Sequence, residues 1–182
     1  MPQLKPDLEN DLRPGLVQSD LACILAHALA EHLAGLGEFH ELLGLTPEEL
    51  TRLGQRWFPG LDLPISEATG EPVPDDQNAV ALLLLWRGGS ASEEARWLAK
   101  ILARRSLCGG HLWEDLGLPN RKSLSALMAR HFPRIFAANS ANMRWKKFFY
   151  RQICSDQDFA LCLSPTCDAC PEKAECFAPE DA

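Results

Sequence analysis

Four of the seven cysteines fall within fifteen residues, at Cys162, Cys167, Cys170 and Cys176. Their spacing is Cys-x4-Cys-x2-Cys-x5-Cys. Thiolate is the ligand that soft metals favour, and four thiolates on so short a stretch can close around one centre. Ser164-Pro165-Thr166 turns the chain between them, and Pro171 stops a helix from running through Cys170. Three readings fit these residues. Unused surface thiols are prone to oxidation and are seldom kept together. Structural zinc sites of four cysteines usually join two Cys-x2-Cys pairs across a longer loop, and here only Cys167 and Cys170 form such a pair. One compact loop of four suits the larger iron–sulfur cluster, so the spacing favours a cluster over zinc.

Other residues stand near enough in sequence to contribute. Cys154 lies eight residues before the motif, at a helix end that disfavours thiolate and beside Arg151 that offsets it. A half-buried thiol and an additional ligand both fit. His111 and His131 flank a basic region and are candidate additional ligands or anion contacts, although lone histidines more often serve packing or capping. Cys108 precedes Gly109-Gly110 and reads as helix-end packing; Cys23 sits among apolar residues and reads as core. His27 and His32 are five apart and share no helix face. No phosphate loop, dinucleotide fingerprint or nucleophile elbow is present, so no catalytic constellation is readable.

The charge of the chain is divided. The formal net charge is −7, which argues against a general nucleic-acid binder. Yet between Leu116 and Ser155 there is no acid at all, while Arg121, Lys122, Arg130, Arg134, Arg144, Lys146, Lys147 and Arg151 give that stretch +8. The tail after it, from Asp156, carries seven acids and only Lys173. Within the basic stretch the run from Asn142 to Cys154 reads as a helix. Trp145, Phe148, Phe149 and Ile153 give it an apolar face. Arg144, Lys147 and Arg151 make a cationic stripe, with Lys146 beside it, as candidate anion- or partner-binding residues. Such a row beside a thiolate loop could steady a negatively charged cluster, attract an oxometallate dianion, or meet an acidic protein.

The elements that must position these groups are helices. Asp20 to Ala34 has apolar residues at helical spacing and ends at Gly35. Thr46-Pro47-Glu48-Glu49 is a capping box for a helix ending near Trp57. Pro59 to Pro74, with four prolines and two glycines, reads as a surface loop. Asp76 to Arg87 is apolar nearly all round and reads as the central buried helix. Ser90 and Glu93 suggest a second capping box, opening a helix to about Leu107. Leu112 to Leu116 is a short element, and Asn120 caps a helix that Pro133 breaks or kinks. No segment alternates at period two, so strands are not required. The expected fold is all-α: an irregular helical bundle over residues 1–155, with a cysteine-rich metal-cluster loop over 156–182 packed on the same domain.

Composition sets the class. At 182 residues, 46% of them hydrophobic, the chain suffices for one core without disulfides. The longest apolar run, Ala79 to Trp86, is far short of a membrane span. The amino terminus lacks a signal-peptide pattern, so a cytoplasmic location is expected, where thiols stay reduced.

The string Met143-Arg-Trp-Lys-Lys-Phe-Phe-Tyr-Arg-Gln-Ile-Cys154, the four-cysteine motif, His111 to Leu118 and the Leu-Ser-Ala-Leu-Met-Ala-Arg-His-Phe-Pro segment ending at Pro133 resemble the NifQ family of nitrogen-fixation proteins. The resemblance covers Leu107 to Phe177. It implies a metal carrier rather than an enzyme. Cys162, Cys167, Cys170 and Cys176 would then hold an iron–sulfur cluster that binds molybdenum for nitrogenase iron–molybdenum cofactor assembly. The implied partners are the cofactor assembly scaffold and the nitrogenase iron protein, with molybdate or another molybdenum source, and neither nucleic acid nor membrane. Two alternatives stay open: a helical iron–sulfur DNA-repair enzyme, for which no glycine hairpin or catalytic Asp is found, and a zinc-stabilised interaction module.

Overall fold

Residues 6–66 and 72–157 are described by a computed structural model of the chain. They form α1 (Pro6–Leu33), α2 (Phe39–Leu43), α3 (Pro47–Trp57), α4 (Asp75–Arg87), α5 (Glu93–Ser106), α6 (Leu112–Asp115), α7 (Arg121–His131), α8 (Pro133–Ala138) and α9 (Trp145–Gln157), with no strand among the described residues. The all-α expectation holds. The cysteine-rich loop expected over 156–182 lies outside the described residues from 158 onward.

Several boundaries follow from local chemistry. At the start of α3 the Glu49 N–H donates to Thr46 Oγ1 at 3.2 Å, and the Thr46 N–H donates to Glu49 Oε2 at 3.0 Å, closing the expected box. Pro133 opens α8 at its first turn, so it ends one helix and begins the next. The helix after Gly89 is capped differently from expectation. Ser92, not Ser90, is the N-cap, its Oγ accepting the Ala95 N–H at 3.1 Å, while Ser90 Oγ accepts the Ser92 N–H. Helix α1 begins at Pro6 rather than near Asp20. Apolar period reports only the buried face, and Leu16 before it is half-exposed. Helix α2 carries no legible period because it has only five residues. It buries Phe39, His40, Leu42 and Leu43 and stops at Gly44 in the left-handed region, φ 65°.

The centre of the bundle is α5, which corrects the expectation for α4. Helix α5 packs against α2, α4, α6 and α7, and buries Trp97, Leu98, Ile101 and Leu102 together with Arg105. It reads as charged, but its charges meet partners from other helices. Glu94 pairs with Arg56 at 2.7 Å, Lys100 with Glu49 at 2.6 Å, and Arg105 with Glu31 at 2.6 Å. Helix α4 buries Gln77, Val80, Leu83 and Leu84 against α5, while Leu82 and Trp86 face outward. One face of a helix lodged between α5 and α9 is all that its neighbours can cover.

Candidate metal centre

Cys162, Cys167, Cys170 and Cys176 lie outside the described residues, as does the side chain of Cys154. Among the described residues no group of three or more His, Cys, Asp or Glu could hold a metal ion. The described structure therefore supplies the platform that leads into the motif. That platform is α9, which reaches Gln157, five residues before Cys162.

Helix α9 is seated by its aromatic face. Trp145, Phe148 and Phe149 are buried. Their rings meet at centroid separations of 5.8 to 6.4 Å, and Phe136 of α8 stacks on Trp145. Edge and tilted contacts of this kind add to the burial of aromatic surface. The loop that feeds the helix is also fixed. The Asn139 side chain accepts from the Met143 N–H and donates to the Met143 carbonyl, both at 2.8 Å. Asn142 takes a left-handed φ of 52°, and the Arg121 guanidinium donates to its carbonyl at 2.7 Å and its side-chain oxygen at 3.2 Å. Because this turn occupies Asn142 to Arg144, the helix starts at Trp145 rather than at Asn142.

The basic residues divide by what they touch. Lys146 is mostly enclosed, and its ammonium donates to the carbonyls of Cys108 and Gly110, each at 2.7 Å, and to Asp115 Oδ2 at 2.5 Å. Its three N–H groups are thereby engaged in pinning the Cys108–Gly110 loop and α6 to the first turn of α9. Arg144 stands at the N-cap, its carbonyl accepting the Phe148 N–H at 2.8 Å, and its Nε is buried without an acceptor. The regular helical stripe is thus Lys147 and Arg151, one exposed and one half-buried. Arg130 of α7 pairs with Asp20 of α1; burial raises the Asp20 carboxyl, with the hydrogen bond and charge of Arg130 opposing it.

The candidate histidines sit in two different environments. His131 is in the core beside Phe132. Burial pushes its pKa down to about 4, the Arg130 charge adds to this, and Glu94 opposes it. It is a neutral core imidazole at neutral pH. His111 is the N-cap of α6, its backbone N–H donating to Glu114 Oε2 at 2.9 Å. Cys108 is a half-buried thiol whose sulfur lies 3.9 Å from Arg104 Nη1, and Cys23 is also half-buried against the core. Among the described residues neither His111 nor His131 belongs to a group of three or more His, Cys, Asp or Glu that could hold a metal ion.

Sequence reasoning missed Asp115, the carboxylate that holds Lys146, and the outward Leu82–Trp86 pair of α4. Asp115 was legible as the last acid before the acid-free stretch. The outward pair shows only once Gln77, Val80 and Leu84 mark the inner face.

The NifQ family model matches residues 20–178, a span that includes all four motif cysteines. A NifQ protein of Rhodobacter capsulatus is 54% identical over 167 residues, covering 92% of this chain and 93% of that protein. A NifQ homolog of Sinorhizobium fredii is 40% identical over 177 residues, 96% of this chain and 77% of its own. The NifQ protein of Klebsiella pneumoniae is 39% identical over 151 residues, 79% of this chain and 90% of its own. No solved structure matches. The chain belongs to the NifQ family of nitrogen-fixation proteins.

Proposed function

We propose that the chain is a metal carrier that binds molybdenum on an iron–sulfur cluster and delivers it for assembly of the nitrogenase iron–molybdenum cofactor. The observation that carries the reading is family membership over a span that contains Cys162, Cys167, Cys170 and Cys176. The donor set fits: four thiolates are soft, anionic ligands suited to iron, and their compact spacing suits a cluster better than one zinc ion. The cluster would supply sulfide ligands for the molybdenum cargo. The family assignment sets aside the DNA-repair reading.

The chain's own residues have separate tasks in this scheme. The four cysteines hold metal through sulfur. Lys146, Asp115 and the aromatic face of α9 keep the helix that leads to them in place. Lys147 and Arg151 put positive charge on that helix, where it favours a molybdate dianion over neutral solutes. Among the described residues no helix is long and apolar enough to cross a membrane.

Metal analysis after anaerobic purification from molybdate-supplied cells tests the reading. The expected result is a brown protein with about three to four irons per chain and bound molybdenum. One zinc per chain, without colour or iron, overturns it and leaves a structural four-thiolate zinc site.

A further inference from the structure

Helix α9 is held along its length by different elements. At its start Lys146 is bound to α6 and the Cys108–Gly110 loop, and Trp145, Phe148 and Phe149 fill the core. Beyond Phe149 the hold changes. Tyr150 and Ile153 are only half-buried against the core, and Gln152 Oε1 accepts a hydrogen bond from Arg87 Nη1 of α4 at 3.4 Å.

Arg87 works from a fixed base. It is the last residue of α4 and is followed by Gly88-Gly89. Gly88 is buried, and a Cβ there would overlap the Leu84 carbonyl oxygen and Phe132 Cδ1. Its carbonyl accepts the Arg134 N–H at 3.1 Å, so the end of α4 is joined to the start of α8. Gly89 takes φ +87° with the Arg134 side chain over it, where a Cβ would come within 2.9 Å of Cγ. The two glycines thus allow a close joint between α4 and α8, and that joint sets where the Arg87 side chain begins. The bond it makes links residues 65 apart in the chain.

The position of the end of α9 matters because the tether beyond it is short. Cys162 is five residues past Gln157, and five residues span at most about 18 Å when fully extended. Whatever displaces the last turns of α9 displaces the origin of that tether.

We propose that Arg87 is a positioning residue for the thiolate motif: from the Gly88–Gly89 joint it bonds Gln152 and fixes the last turns of α9, and with them the point from which the chain leaves toward Cys162. This rests on the reading of the four cysteines as a metal site. The bond is exposed and long, so its effect is local rather than global.

The test uses the full chain purified anaerobically from molybdate-supplied cells. Amide hydrogen exchange, read by mass spectrometry over residues 150–157, should be about 3- to 5-fold faster in Arg87→Ala, with α5 unchanged. Arg87 has a further interaction besides this bond. Gln152→Leu, which removes only the acceptor, should therefore reproduce the effect, and the double variant should be no faster than either single one. Arg87→Lys keeps a donor and should restore most of the protection. Release of iron to a ferrous chelator should accelerate about 3- to 5-fold in Arg87→Ala and Gln152→Leu, while the urea midpoint stays that of the parent. Unchanged exchange in Arg87→Ala overturns the proposal, as does faster exchange with unchanged metal release. An effect of Arg87→Ala that Gln152→Leu does not share assigns the role to the other Arg87 interaction and overturns it too. Faster exchange throughout the chain does the same, because Arg87 then supports the whole fold. A parent chain with one zinc and no iron overturns the carrier reading alone; release is then read with a zinc-chelating dye, and the same comparisons decide the proposal.

Discussion

Lys146→Met should destabilise the fold substantially although it removes what looks from sequence like a surface lysine. The Lys146 and Asp115 side chains are only 18% and 15% exposed, and the ammonium serves three acceptors within 2.7 Å. Its removal strands the Asp115 carboxylate and the Cys108 carbonyl in partly enclosed positions; the Gly110 carbonyl can turn to water. A hydrogen bond to a charged group is worth roughly 1.5–3 kcal/mol, and breaking a buried pair costs roughly 3–5, so this partly buried cluster should cost about 2–4 kcal/mol. For a chain of this size that lowers the melting temperature by roughly 5–15 °C. Urea unfolding followed by circular dichroism gives the value, provided the m-value is unchanged. A cycle with Asp115→Asn should show the two substitutions coupled by about 1–2 kcal/mol. A loss below about 0.5 kcal/mol, joined to a selective loss of molybdenum uptake, would refute this reasoning. Lys146 would then be the anion contact that its place in the basic run suggests.

Gly44→Ala should cost about 2–4 kcal/mol in thermal unfolding, because Gly44 has φ 65° and an added Cβ would meet Arg104 Cβ at 2.7 Å. His131 has a native pKa of about 4 against an ordinary 6.5, so as pH falls the unfolded chain takes the proton first. Its contribution is complete above pH 6.5 and is lost progressively down to about pH 4, by up to about 3 kcal/mol. His131→Gln should flatten that part of the stability–pH curve, and an unchanged slope would show the imidazole to be solvated. Lys147→Glu with Arg151→Glu should lower molybdenum loading more than iron loading, as measured by plasma mass spectrometry; equal loss of both would mean damage to the fold.

Much of the framework was readable because its signals are local. A capping box needs only Thr46 and Glu49, and a helix break needs only Pro133. What escaped depends on distance. Helix α5 is central because Glu31, Glu49 and Arg56 come from other elements to meet Arg105, Lys100 and Glu94. No window of fourteen residues contains that information. Helix α4 misled for the converse reason: its apolar residues outnumber what α5 and α9 can cover, and hydropathy alone cannot say which are left outside. The candidate site divides the same way. The cysteine spacing indicates thiolate chemistry at once, but the assignment of the basic residues required knowing what each one touches.

Those contacts change the meaning of the acid-free stretch. Read as a line, Leu116 to Ser155 carries +8 and suggests one continuous cationic surface. Folded, it is not continuous. Arg130 is held by Asp20, Lys146 by Asp115, and Arg121 supports the Asn142 turn. Each acid involved comes from outside the stretch. The absence of acids within it therefore serves architecture as well as surface charge: a carboxylate placed locally would compete with Asp20 and Asp115 for the long-range partners that tie α7 to α1 and α9 to α6. The exposed cations of the stretch are Lys122, Arg134 and Lys147, with Arg151 half-buried. Of these, Arg134 is fixed by the Gly88–Gly89 turn at the end of α4, and Lys147 and Arg151 ride on the helix that leads to the cysteines. Charge reversal at Lys147 and Arg151 should therefore act on metal loading, whereas charge reversal at Arg130 or Lys146 should act on the fold, because only the latter two hold carboxylates of other helices.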